Sequence, residues 1–89
     1  MKLILYIDTS QMDTARVAIE YNGQRHEEVS TSRVQKSQMV LPLIEKLLHA
    51  HTLHVSDISE IRVMEGPGSF TGIRVGLSVA HMLEALLGI

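Results

Sequence analysis

One glycine-rich stretch holds most of the residues that could contact an anion. It runs from Gly66 to Gly72, after a short apolar run and before a long apolar segment, which predicts a strand, a turn and a helix. The first turn of such a helix presents free N–H groups and the positive end of the helix dipole, where an anion could bind. The candidate contacts are Gly66, Gly68, Ser69 and Thr71. The alternative is a purely structural turn, in which Ser69 or Thr71 caps the helix.

The turn matches none of the glycine-rich motifs with an established chemistry. It has no Gly-Lys-Ser/Thr ending, so it places no lysine against a phosphate as a Walker loop does. Its glycine spacing is not that of the dinucleotide fingerprint, and Gly68 directly before Ser69 breaks the pattern Gly-x-Ser-x-Gly. No His-Glu-x-x-His zinc helix and no Asp/His partner pattern point to proteolysis. Arg74 could support an anion or pair with an acidic side chain such as Glu65.

Three histidines, His49, His51 and His54, cluster near the end of the first predicted helix. Imidazole is a common ligand of transition metals, so a metal site is one interpretation. His49 and His51 do not share a helical face, however, and imidazoles near a helix C-terminus are also favoured by the helix dipole. We therefore expect no metal site in this chain.

The composition indicates a small single domain without strong affinity for nucleic acid. The 89 residues include no cysteine, which excludes disulfides, thiolate metal sites and thiol catalysis. The net charge is −2 and no basic patch stands out, which argues against tight binding to a phosphate backbone. The N-terminal apolar run is too short for a secretory signal, and no apolar stretch reaches the roughly 18–20 residues of a membrane span. We therefore expect a cytoplasmic protein without membrane contact.

The elements that must position the glycine-rich turn begin with a three-stranded antiparallel meander. Residues 3–7 form a continuous apolar run, typical of a strand buried on both faces. Residues 14–21 alternate between apolar and polar side chains, which indicates a half-exposed strand. Asn22-Gly23 is a strong hairpin signal, so residues 24–29 should return as a polar edge strand. Residues 61–64 predict a fourth strand, parallel to the first because a helical crossover precedes it.

Two helices complete the pattern. Residues 37–51 carry apolar side chains at helical spacing, and Pro42 inside the pattern either follows the helix start or kinks the helix. Residues 71–87 are apolar around almost the whole circumference. A sheet covers only one side of such a helix, so the other side predicts contact with the first helix, a second subunit or both. The candidate contact residues are Leu43, Leu47, Val75, Val79, Met82 and Leu86.

A stripe of small residues also marks the second helix. Gly72, Gly76 and Ala80 are spaced by four and therefore lie on one helical face. Such a stripe lets the backbone of the helix approach a neighbouring strand or helix closely.

Residues 66–76 closely resemble the signature of the TsaB (YeaZ) family, the bacterial accessory proteins of tRNA threonylcarbamoyladenosine synthesis. Residues 4–10 are similar to the first strand and loop of that family, and residues 39–44 to its first helix. The three matches follow the family's order and cover nearly the whole chain, and the match at the turn is the specific one. The sequence departs from the family at His81, usually a lysine, and at residues 37–38, which replace a His-Ser-Glu lead-in.

The resemblance implies the fold of half an ASKHA protein, the ribonuclease H-like or actin-like ATPase fold. The expected α/β architecture is the antiparallel meander plus a parallel fourth strand, with two helices. Family members continue with a fifth strand and a second, related domain, so residues 1–89 are expected to be an N-terminal subdomain truncated before that strand. In ASKHA ATPases the loop that matches Asp8, Thr9 and Ser10 approaches phosphate and metal, which makes these residues candidate nucleotide contacts. The alternative is a turn in which they pair with backbone groups.

The resemblance also implies a function and partners. TsaB-like proteins are non-catalytic and dock through their two helices to the catalytic subunit TsaD or to a second TsaB. Together with the ATPase subunit TsaE, the complex transfers a threonylcarbamoyl group to N6 of adenosine 37 in certain tRNAs. We therefore expect an accessory subunit that is not an enzyme, forms a homodimer in isolation and meets tRNA only indirectly. It is expected to bind no cofactor alone, since ATP and Mg²⁺ belong to the assembled complex.

Two other functions remain open. The first is a small nucleotide-binding ATPase-like protein that uses Asp8 and the turn from Gly66 to Gly72. The second is a self-associating fragment without a cellular function. Binding of ATP with Mg²⁺ by the chain alone would favour the ATPase, whereas binding to TsaD would favour the accessory subunit.

Overall fold

The computed structural model describes residues 1–11, 13–31, 36–68 and 70–89. Regular structure begins with three strands, continues with a helix, and ends with a fourth strand and a second helix. In chain order these are β1 (Ile4–Asp8), β2 (Thr14–Tyr21), β3 (Gln24–Thr31), α1 (Lys36–Ala50), β4 (Glu60–Val63) and α2 (Phe70–Leu87), with a 3₁₀ turn at Val55–Asp57 before β4.

The four strands form one mixed sheet in the order β3-β2-β1-β4. The β1–β2 and β2–β3 pairs are antiparallel, and Tyr6 of β1 stands opposite Ala18 of β2. The β1–β4 pair is parallel, with Tyr6 opposite Arg62. The crossover between β3 and β4 runs through α1, as a parallel pairing requires. This topology confirms the predicted meander with a parallel fourth strand.

The hairpin between β2 and β3 is closed by the two residues that predicted it. Asn22 and Gly23 have φ values of 52° and 76°. Two consecutive positive φ angles are typical of a type I′ turn, whose twist matches that of the flanking strands. The turn sets the register of the edge strand, with Tyr21 opposite Gln24.

Both helices pack on the same face of the sheet and enclose one apolar core. Alternate residues of β1, such as Leu5 and Ile7, point to this face because side chains alternate along a strand. The first helix covers β2 and β3, whereas the second covers β4 and β1. The most deeply buried side chains of the core are Leu3, Leu5, Ile7, Val17, Ile19, Val40, Ile44, Leu48 and Leu83.

Pro42 lies inside α1. The helix begins at Lys36, so the alternative of a helix start just before Pro42 is wrong. Proline lacks the N–H that would bond to the carbonyl four residues earlier, that of Gln38. Both Gln38 and Pro42 are exposed, so water can reach this part of the helix and satisfy the carbonyl.

The opposite face of the sheet is covered by long side chains of its own strands. The Arg25 guanidinium lies 4.4 Å from the centroid of the Tyr6 ring, and the Arg62 guanidinium lies 6.0 Å from it. Beneath them Ala18 is only 1% exposed. Arg62 also donates a hydrogen bond to Glu60, and this bond lowers the pKa of the Glu60 carboxyl and raises that of Arg62.

The second helix corrects one expectation about membranes. Over 18 residues, α2 is long and apolar enough to cross a bilayer by length and composition, whereas the sequence pattern predicted no such stretch. A single helix of this kind is weak evidence for a membrane span, because a core helix passes the same test.

The burial pattern predicts where truncation of an aliphatic side chain is costly. Ile44 is fully buried between α1 and the sheet, so Ile44→Ala should lower the free energy of unfolding by about 2–5 kcal/mol. Val29 on the edge strand is 47% exposed, and the control Val29→Ala should cost less than about 1 kcal/mol. Urea denaturation followed by circular dichroism measures both values. Equal costs would contradict the described core.

Candidate functional site

The loop after β1 and the glycine-rich turn before α2 lie against each other. A Cβ atom added to Gly68 would stand 2.6 Å from the carbonyl oxygen of Ser10 and 2.7 Å from its Cβ atom. Real Cβ atoms are almost never found so close to other heavy atoms, so only glycine fits at this point. The fold therefore brings together the two stretches that carry the candidate anion contacts.

The side chain of Thr9 joins this loop to the backbone of α2. Its hydroxyl donates a hydrogen bond of 2.5 Å to the carbonyl oxygen of Gly72. The Thr9 hydroxyl oxygen itself accepts a hydrogen bond of 3.0 Å from the backbone N–H of Gly76. In a regular α-helix this N–H and this carbonyl, four residues apart, bond to each other. The Thr9 hydroxyl thus bonds to both members of a helical donor–acceptor pair.

Gly76 provides the space for this contact. A Cβ atom on Gly76 would lie 2.8 Å from the Thr9 hydroxyl oxygen, 3.2 Å from Ile7 Cγ2 and 3.3 Å from Val63 Cγ1. The small-residue stripe therefore has the role that its spacing predicted, since it lets α2 approach β1 and β4 closely. Gly72, Gly76 and Ala80 are all buried.

Asp8 and Ser10 form a local turn at the end of β1. One carboxylate oxygen of Asp8 accepts hydrogen bonds from the backbone N–H of Ser10 at 3.0 Å and from its hydroxyl at 2.6 Å. Aspartate commonly stabilises a turn by bonding to the backbone two residues further on. Thr9 is fully buried and Ser10 is 3% exposed, so both hydroxyls are directed into the protein.

These contacts show what the candidate nucleotide residues do in this structure. The hydroxyls of Thr9 and Ser10 bond to other protein groups. This agrees with the alternative prediction of a structural turn at this loop. Gly66 is exposed in the turn before α2. Thr71 is exposed and is the second residue of α2, so the prediction that it caps the helix is wrong. Ser69, the other predicted cap, lies outside the described residues.

The face of α2 opposite the sheet carries an apolar surface. Met82 is 42% exposed and Leu86 is 74% exposed, whereas Val75 and Val79 are half-buried against the core. We call these four residues the α2 surface. A shallow groove of about 460 Å³ runs beside it, lined by Thr71, Arg74, Val75, Ser78, Val79 and Met82. Both Met82 and Leu86 therefore remain accessible to solvent in this structure.

The two predicted contact residues of α1 face the interior instead. Leu43 is 7% exposed and Leu47 is 2% exposed, and both belong to the core beneath α1. A partner therefore cannot contact Leu43 or Leu47 in this structure. The expected contact surface, which combined residues of both helices, is corrected to residues of α2 alone. The physical reason is that α1 has one apolar stripe, and the sheet already covers that stripe.

Of the three clustered histidines, His51 contacts residues that the sequence did not connect with it. Its ring lies 4.0 Å from that of His26, centroid to centroid, and its Nδ1 atom lies 3.5 Å from the Tyr21 hydroxyl oxygen. These contacts attach the edge strand β3 to the end of α1. Across the part of the chain that the structure describes, no group of three or more His, Cys, Asp or Glu side chains could hold a metal ion.

The mixed sheet, the two helices on one face and the glycine-rich turn define a class of protein. They are the features of half an ASKHA-like α/β domain, the ribonuclease H-like architecture expected from the sequence. A family model described as TsaD, tRNA N6-adenosine threonylcarbamoyltransferase, matches residues 27–89, which is more than half of the chain. The chain belongs to this TsaD-type family, and its relatives place it with the TsaB (YeaZ) proteins.

Relatives and solved structures agree on this placement. The protein named tRNA threonylcarbamoyladenosine biosynthesis protein TsaB of Escherichia coli is 31% identical over 80 residues, which is 90% of this chain and 34% of the relative. The TsaB of Bacillus subtilis is 31% identical over 86 residues, 97% of this chain and 38% of the relative. YeaZ from Pseudomonas aeruginosa superposes with a TM-score of 0.88 at 28% identity, over 99% of this chain and 41% of that structure.

A second solved structure is described as an uncharacterized protein with similarity to peptidase YeaZ from Pseudomonas aeruginosa. It superposes with a TM-score of 0.89 at 28% identity, over 99% of this chain. The chain thus spans well under half of the length of each of these relatives.

The Thr9 contact predicts that a glycine-to-alanine substitution in α2 destabilises the protein, although such a substitution usually stabilises a helix. Glycine to alanine inside an unconstrained helix stabilises by about 1 kcal/mol. At Gly76 the added methyl group would meet Thr9, Ile7 and Val63, so Gly76→Ala should instead lower the free energy of unfolding by about 1–3 kcal/mol. Ser78→Ala, at an exposed position of the same helix, is the control and should change it by less than about 0.5 kcal/mol. Urea denaturation of both variants measures the difference, and a stabilised Gly76→Ala protein would contradict the close approach.

Proposed function

We propose that the chain is a non-catalytic accessory subunit in the modification of tRNA to N6-threonylcarbamoyladenosine. In this function it docks to the catalytic TsaD subunit through α2 and holds that subunit in an active arrangement, and the ATPase TsaE joins the same complex. The tRNA is contacted only indirectly, and ATP with Mg²⁺ is bound by the assembled complex. The names of the relatives, tRNA threonylcarbamoyladenosine biosynthesis proteins, support the pathway. A cytoplasmic location follows from this proposal, because tRNA is modified in the cytoplasm of bacteria.

One observation supports the docking proposal: the sheet covers one face of α2, and another face exposes apolar side chains to solvent. Its small residues pack on the sheet, whereas Met82 and Leu86 expose apolar side chains in a row along the helix. Apolar surface of this kind is stabilised by contact with a partner, at roughly 25 cal/mol per Å² removed from water. Methionine suits such a contact, because its flexible side chain adapts to the partner's shape.

The internal pairing of the loop hydroxyls supports a non-catalytic role. A phosphate-binding loop needs donors and hydroxyls that are free to meet the ligand. In this chain Thr9 bonds to the backbone of α2 and Ser10 bonds to Asp8. Binding of a nucleotide in the same way would therefore break contacts that hold α2 to the sheet.

In the absence of a TsaD subunit, we expect the α2 surface to pair with a second copy of this chain. A two-fold arrangement would bring the same residues of both copies together, because a symmetric dimer uses one patch twice. The homodimer and the complex with TsaD would then compete for one surface.

A charged residue on the α2 surface should prevent docking. Met82→Asp places a carboxylate in the buried centre of the proposed contact, where desolvation without a partner is costly. We expect it to weaken binding to a purified TsaD-type subunit by at least about 100-fold, and to convert any homodimer to a monomer. Isothermal titration calorimetry and light scattering measure the two effects.

The matched control for this experiment is His81→Asp. It introduces the same charge at the neighbouring exposed position, about 100° away around the helix. Binding should remain within about threefold of that of the unaltered chain. If Met82→Asp binds TsaD as tightly as His81→Asp does, the α2 surface is not the docking site. Val79 is less suitable for this test because it is half-buried against the core.

The alternative function, a small ATPase-like protein, is favoured by the loop that follows β1 with Asp8, because this loop lies against the glycine-rich turn at Gly68. The two proposals differ in what the isolated chain binds. We expect no measurable heat when ATP with Mg²⁺ is titrated into the chain alone, since its loop hydroxyls are already paired. Tight binding that Asp8→Asn abolishes would reverse the choice in favour of the ATPase-like protein.

A further inference from the structure

We propose that Thr9 is the positioning residue of α2, which couples the loop after β1 to the direction in which the α2 surface faces. The inference rests on the proposed docking function and adds to it a residue with a defined role. Thr9 makes no contact with a partner in this proposal. It acts through α2, whose hydrogen-bond ladder includes its hydroxyl.

The Thr9 hydroxyl forms a bridge between two turns of α2. Thr9 Oγ1 bonds to the carbonyl of Gly72 at 2.5 Å and to the N–H of Gly76 at 3.0 Å, so it stands between two successive turns of the helix. A side chain that enters the backbone ladder of a helix is one of the known causes of a change in helix direction. The contact spans 63 and 67 positions of sequence, so it connects the first strand to the last helix.

The residues around Thr9 hold its side chain in place. Its side chain is fully buried, and the space around Gly76 is bounded by Thr9 itself, Ile7 and Val63. A β-branched residue is already restricted at χ1, so threonine holds its hydroxyl in place at a small entropic cost. Serine would supply the same hydroxyl with more rotational freedom.

The loop after β1 is held against α2 and the turn before it at two points. The Ser10 carbonyl lies so near Gly68, in the turn before the helix, that an added Cβ would stand 2.6 Å from its oxygen, and Thr9 bonds to Gly72 and Gly76 within the helix. Asp8 fixes the loop between them by accepting two hydrogen bonds from Ser10. A displacement of this loop is therefore transmitted to the first two turns of α2.

A small change in the direction of α2 produces a large displacement at the α2 surface. From Gly76 to Leu86 the helix rises about 15 Å, so a tilt of about 10° at the Thr9 contact moves Leu86 by roughly 3 Å. Interfaces between proteins are packed to the density of protein interiors, and a shift of that size disrupts their complementarity. The hydroxyl of Thr9 thus determines how well the α2 surface fits a partner.

The experiment compares Thr9→Val, which removes the hydroxyl but keeps the shape, with Thr9→Ser, which keeps the hydroxyl. The control for loss of a hydroxyl elsewhere is Thr14→Val. Among the described contacts, the Thr14 hydroxyl in the sheet bonds only to Asp13. Two quantities are measured on the full chain: amide hydrogen exchange at Gly76 by NMR, and affinity for a purified TsaD-type subunit.

We expect Thr9→Val to accelerate exchange at Gly76, because the Gly76 N–H loses the Thr9 hydroxyl as an acceptor. We also expect it to weaken TsaD binding by about tenfold, because the α2 surface then meets the partner in a changed direction. Thr9→Ser should restore both quantities to within about threefold, and Thr14→Val should leave both unchanged. If Thr9→Val accelerates exchange at Gly76 but binds TsaD normally, the positioning role is overturned, although the docking proposal stands.

The outcomes also separate this inference from the docking proposal. If the unaltered chain does not bind TsaD, or if Met82→Asp has no effect, both proposals fail together. Should Thr9→Val not fold, the unaltered chain still gives a test. The Thr9 hydroxyl proton should exchange slowly enough with water to be observed by NMR, and its absence would overturn the bridge on which the inference depends.

Discussion

The close approach of α2 to the end of β1 is the contact on which the rest of the structure depends. It places one threonine hydroxyl between two turns of the helix and requires glycine where a methyl group would collide. The inner face of α2 therefore carries small residues along its first turns and Leu83 further on, whereas the exposed apolar side chains of Met82 and Leu86 lie on another face. An interior that needs close backbone packing on one side of the helix thus leaves bulky side chains available on the other side.

Much of the fold was predictable because it follows from local patterns. Alternation identified β2, the pair Asn22-Gly23 identified the hairpin, and helical spacing identified α1 and α2. The parallel pairing of β4 followed from the crossover that precedes it. Element ends were less certain and differ from the prediction by one or two residues at most positions, since caps and frayed turns depend on contacts that a local pattern does not contain.

The site was harder to predict, and two residues show why. Thr9 follows an acidic residue after a buried strand, and a hydroxyl at such a position is equally suited to a phosphate or to a backbone carbonyl. Only the fold, which brings Gly72 and Gly76 to it across more than sixty positions, decides between them. Leu47 shows the converse problem, because helical spacing identifies an apolar stripe but not whether a sheet or a partner covers it.

The two edges of the sheet resist an added strand in different ways. At one edge β3 presents charged side chains such as Arg25, Glu27 and Glu28, a composition that natural proteins use to keep edges from pairing. At the other edge β4 is only four residues long, with Ile61 and Val63 on either side of a single arginine. Short length and the ion pair of Glu60 with Arg62 protect this second edge, as charge protects the first, so the sheet in this structure discourages an added strand on both sides.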